Sequence, residues 1–160
     1  MAELIESADV CIQTVDISNT SGCDNKTIHN DICLPVSIFN NDSLSSLETI
    51  SKYLVEELRL RYCEIAGILN RDERTIWGSY NHARRKMTER FTDISFIQTI
   101  PISILRDRTF SVLETITKYL KDELNYRYCR IADILNRDSR TIWTVYHRAK
   151  RKSYLKNGEH

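Results

Sequence analysis

Arg74, Asn81 and Arg85 stand seven and four residues apart, and Arg140, His147 and Arg151 repeat the spacing 66 positions later. At about 100° per residue these positions share one side of a helix, joined by Gly78 in the first set and Thr144 in the second. Such a face offers hydrogen-bond donors and no carboxylate. An ordinary solvated surface mixes signs, so the same exclusion in two places points to a polyanion. In a DNA major groove, Arg bonds guanine O6 and N7, Asn bonds adenine, and a Thr methyl meets thymine. The candidate base contacts are therefore Arg74, Thr75, Gly78 and Asn81, with Arg140, Thr141, Thr144 and His147. Their flanks suit phosphates, which hold position but read little sequence: Arg71, Arg84, Arg85 and Lys86, with Arg137, Arg148, Lys150, Arg151 and Lys152.

Other chemistry finds less support. The histidines, at 29, 82, 147 and 160, make no ligand or triad pattern shared by the two sets, so no catalytic residue is expected and the protein is not read as an enzyme. Asp72 and Asp138 recur, but capping a helix explains them, because the side chain accepts an otherwise orphaned backbone N–H. Cys11, Cys23 and Cys33 lack the close pairs of a zinc site, and no Walker-type phosphate loop is present. Neither metal nor cofactor is expected. Five cysteines cannot all pair, and Cys63 and Cys129, inside apolar helical patterns, are expected to be small buried hydrophobes.

The elements that carry these residues are repeated. Residues 36–86 return at 102–152 without a gap, identical at 30 of 51 positions. Leu34-Pro35 and Ile100-Pro101 open the copies as extended pieces, since the residue before proline is steered away from helical angles. A lone ribbon of two strands is marginal in water, so these pieces need each other, the other copy or a second subunit. Ser45 or Ser46 can cap a first helix running to about residue 58, with Leu47, Ile50, Leu54 and Leu58 on one face; Leu113, Ile116, Leu120 and Leu124 match them. A second helix, Tyr62–Leu69 or Tyr128–Leu135, has Ala66 or Ala132 where a tight crossing needs a small side chain. A third helix spans about 73–87 or 139–153, burying Ile76, Tyr80 and Ala83 in the first copy. Trp77 and Trp143 fall about 100° from that buried centre and are expected at the rim of the core or the seam between copies, not stacked on bases. The fold expected is mainly α: two tandem three-helix helix-turn-helix units, at 28–87 and 94–153, each preceded by a short strand-like segment.

Charge follows the same division. Residues 1–35 carry six carboxylates against Lys26, a net of −5 in a chain of net +1, so the remainder carries +6. Residues 1–27 read as an acidic arm, with a strand considered at 10–17. No apolar run approaches the roughly 18 residues of a membrane span, and MAELIESADV has no secretory character, so a cytoplasmic, DNA-associated protein is expected.

Tyr62-Cys63-Glu64-Ile65-Ala66-Gly67-Ile68-Leu69, followed by Thr75-Ile76 and Ala83-Arg84, resembles the helix-turn-helix of sigma-factor region 4 and LuxR-type DNA-binding domains. The second copy departs from that pattern at Arg130, where the first has Glu64. The run Asn70-Arg71-Asp72-Glu73-Arg74-Thr75-Ile76, with Ala83 and Lys86, also resembles the recognition helix of the bacterial initiator DnaA, which implies contacts from Asp72 to Thr75. Glu73 and Arg74 replace a His and a Thr of that signature, so the initiator's own specificity is not carried over. The resemblances imply binding to double-stranded DNA, with transcriptional regulation as the expected role and the transcription machinery as a further partner. A homodimer through the strand-like segments is a second expected association. The alternative reading is a protein-interaction or DNA-architectural module built on the same repeats.

Overall fold

The computed structural model describes residues 32–158, so the acidic arm and the strand considered within it lie outside the described residues. The chain is mainly helical. Strand β1 (Cys33–Pro35), a 3-10 helix (Val36–Phe39), α1 (Ser46–Glu56), α2 (Tyr62–Leu69) and α3 (Glu73–Lys86) form the first copy. Strand β2 (Thr99–Pro101), a second 3-10 helix (Ile102–Arg106), α4 (Val112–Asp122), α5 (Tyr128–Leu135) and α6 (Ser139–Asn157) form the second. Among the described residues no helix is long and apolar enough to cross a membrane.

Each boundary has a local cause. Pro35 and Pro101, at φ −66° and −64°, end the strands at an angle their rings already impose and start the 3-10 helices. Ser45 caps α1 and Ser111 caps α4, each in a reciprocal box: the backbone N–H groups of Ser45 and Ser111 donate to Glu48 and Glu114 at 2.8 Å. The chain leaves α1 through Arg59 at φ 54° and leaves α4 through its equivalent Asn125 at φ 53°. Asn70 and Asn136, also left-handed, end α2 and α5, and the N–H groups of Arg71 and Arg137 close back onto the Ala66 and Ala132 carbonyls at 2.9 Å. Asp72 and Asp138 then cap α3 and α6, accepting from the N–H of Arg74 at 2.8 Å and Arg140 at 2.7 Å.

The copies are joined about a ribbon. β1 and β2 are antiparallel, with Leu34 opposite Ile100, and both side chains are fully buried. The strand-like segments of the two copies thus pair with each other within one chain. The first 3-10 helix packs on α5 and the second on α2, so each copy completes the other's core. Leu34, Ile38, Ile65, Leu69, Ile100, Ile102, Ile131 and Leu135 belong to one continuous buried cluster. Burying such a side chain contributes about 1.5–3 kcal/mol, which a three-residue ribbon or an eight-residue helix cannot replace by itself.

Three expectations need correction. Leu124, placed on the buried face of the first helix of the second copy, lies past the end of α4 at Asp122 and is exposed. Cys63 is half-buried and Cys129 exposed, because both occupy the first turn of their helix, aside from the buried line of Ile65 and Ile131. The sixth helix also outruns the expected end near residue 153, reaching Asn157, where Lys156 donates to Asp107 at 2.8 Å.

Candidate nucleic-acid interface

The third helix of each copy is held from below. On α3, Ile76 and Ala83 are buried and Tyr80 is half-buried; on α6, Ile142, Val145 and Ala149 are buried. Aromatic pairs join second helix to third, Tyr62 to Tyr80 at 5.9 Å and Tyr128 to Tyr146 at 5.7 Å between ring centres. The Tyr146 hydroxyl donates to Asp122 on α4 at 2.8 Å. Its pKa is pushed up to about 12, first by burial and then by that bond.

Lys86 donates to both oxygens of Glu48, at 3.0 and 2.9 Å, and Lys152 donates to Glu114 at 2.7 Å. These lysines, counted among the phosphate candidates, join the end of the third helix to the cap of the first. Burial alone would raise the pKa of each glutamate, but the lysine and serine bonds outweigh it and the net shift is downward. Arg137 is placed similarly inward, with one guanidinium nitrogen donating to the Leu44 carbonyl of the other copy at 2.9 Å. Its equivalent Arg71 is half-buried, and burial followed by the nearby charge of Arg108 lowers its pKa. The Arg71 Nε is buried without a hydrogen-bond partner.

The other candidates lie outward. Arg74, Thr75, Arg84 and Arg85 are exposed on α3, as are Arg140, Thr141, Thr144, His147, Arg148, Lys150 and Arg151 on α6. Gly78 and Asn81 are half-buried, with open space where a β-carbon at Gly78 would stand. Asn81 donates to the Trp77 carbonyl at 3.0 Å and Thr144 to the Arg140 carbonyl at 2.9 Å. These bonds orient the side chains along the helix surface. Among the described residues, Arg74, Arg84, Arg85, Arg140, Arg148, Lys150 and Arg151 form no ion pair with a carboxylate.

Trp77 and Trp143 belong to this surface as well. They are 55% and 51% exposed, so about half of each residue is open to solvent. Trp143 packs against His147 with ring centres 4.0 Å apart, so the imidazole leans on an aromatic plate. Helical phase could have identified both: Trp77 lies three residues from Arg74 and four from Asn81, the spacing that puts neighbours on one face. A second basic feature was not legible. Asn70 donates to the Arg106 carbonyl at 3.4 Å, which sets the exposed Arg106 and Arg108 of the second copy beside the start of α3. Comparison with protein-family models, with curated proteins and with solved structures gives no match.

Proposed function

We propose that the protein binds double-stranded DNA through α3 and α6, acting as paired helix-turn-helix recognition helices, and regulates transcription by occupying promoter DNA. One observation carries this reading. Two equivalent helices each leave guanidinium groups exposed and outside any carboxylate ion pair, and Asp72 and Asp138 just before them are turned to capping the backbone, although α3 keeps one exposed carboxylate, Glu73, in its first turn. Arg74 and Arg140, beside the helix starts, are the leading candidates for guanine; Asn81, Thr144 and His147 lie further along the same face. Trp77 and Trp143 offer apolar surface to thymine methyls or to sugars. Arg84, Arg85, Arg148, Lys150 and Arg151 suit phosphates. Arg71 and Arg108 add a place where two neighbouring cations favour an anion between them.

A competition titration of selected against random duplex, at two salt concentrations, tests the proposal. A regulator retains a preference of at least about 4 kcal/mol for its site, and both affinities fall with salt. Arg74→Ala with Arg140→Ala should lower the preference more than the affinity for random duplex. Equal losses would remove these residues from base reading. Equal affinity for every duplex would leave an architectural role, and no binding in dilute salt would overturn the proposal.

A further inference from the structure

Resting on that DNA-binding reading, we infer that the duplex site is an inverted repeat with unequal halves, read by α3 and α6 about one two-fold axis. The repeat offset is 66 residues, and the ribbon obeys it in a particular way. Cys33 pairs with Pro101 and Pro35 with Thr99, so each pair becomes the other when the copies are exchanged, while Leu34 faces its own equivalent, Ile100. The flanking bonds exchange too: Val36 N–H donates to the Gln98 carbonyl and Ile102 N–H to the Ile32 carbonyl, both at 2.9 Å. Packing of the first 3-10 helix on α5 and of the second on α2 is the same exchange at longer range. Copies stacked head to tail would pair unequal surfaces; mutual exchange of equivalent surfaces is the mark of a two-fold.

A two-fold protein presents its two reading helices equivalently to one duplex when its axis coincides with a dyad of the DNA, and the half-sites then run in opposite directions. After a first residue that differs, Glu73 against Ser139, each third helix carries the same run, Arg74-Thr75-Ile76-Trp77 and Arg140-Thr141-Ile142-Trp143, so the bases met by that run should match between halves. Further along, Gly78, Asn81 and His82 become Thr144, His147 and Arg148, so the bases met there should differ.

Selection from a random duplex library with the full chain tests this directly, followed by competition among duplexes carrying the selected halves inverted, direct, or with one half scrambled. The inverted duplex should compete at least about tenfold better than either of the others. The quadruple variant E73S/G78T/N81H/H82R gives the first copy the residues of the second at these outward positions; the open space at Gly78 and the exposure of Glu73 and His82 leave the fold intact. Its selected site should become a symmetric inverted repeat. A direct repeat, a single half-site, or an unchanged asymmetric site for the variant would overturn the inference while leaving DNA binding standing. No selection by the wild-type chain would overturn both.

Discussion

Lys52 and Lys118 occupy the same position in the two copies, yet Lys52 is fully buried while the Lys118 side chain is 39% exposed. The difference begins beyond the repeat. After α3 the chain turns away at Met87, φ −137°, and returns across α1, setting Phe91 against Tyr53 with ring centres 6.5 Å apart. After α6 the helix simply continues, and the side of α4 around Tyr119 stays an open groove lined by Ile104, Phe110, Tyr146 and Tyr154. Similar helices therefore have different interiors because their neighbours in sequence differ. The two outward faces, which need only the shared three-helix support, remain alike.

The largest contrast should come from those lysines. The buried Lys52 Nζ lies 2.8 Å from the partly exposed Glu56, so Lys52→Met leaves that carboxylate with the Tyr80 hydroxyl as its partner and should cost about 3 kcal/mol in denaturant unfolding. Lys118→Met removes a half-exposed pair with Asp122 at 3.1 Å and should cost less than about 1 kcal/mol. Equal losses would contradict the different roles of the two positions.

A smaller effect of opposite sign is expected at the turn after the first helix. Arg59 and Asn125 share a left-handed backbone, φ 54° and 53°, which asparagine tolerates better than arginine. Arg59→Asn should stabilise the first copy by up to about 1 kcal/mol, measured by thermal unfolding; destabilisation would show that the arginine contributes more than its backbone costs.

The smallest effect belongs to the second copy alone. Asp107 is held at about 2, first by its bond from Lys156, then by those from Thr109. A lowered folded pKa stabilises above the unfolded carboxylate value and loses that contribution as pH falls through about 2. Lys156→Ala should move the Asp107 carboxyl titration, followed by NMR, back toward the ordinary range. Both residues are substantially exposed, so stability at neutral pH should hardly change.

What the sequence disclosed, and what it withheld, divides along the same line. Ser45, Asp72, Asp138 and the limits of α2 and α5 were legible because capping and apolar period act within a few residues. The outward third-helix face was legible for the same reason. Burial of Lys52, the turn at Met87 toward Phe91, and the inward bond of Arg137 to Leu44 depend on segments far apart in the chain, which local pattern does not specify. Trp77 and Trp143 are more open than their type suggests. Tryptophan usually lies largely buried, and here both sit on the open face.

The central claim is that two equivalent helix faces engage one duplex. Amide chemical-shift mapping of the full chain during titration with a selected duplex tests it most directly. Perturbations should gather on Arg74–Arg85 and Arg140–Arg151 together, saturating at one duplex per chain, with the α4 groove around Tyr119 unaffected. Shifts confined to one third helix, shifts centred on that groove, or no shifts at all would contradict the account.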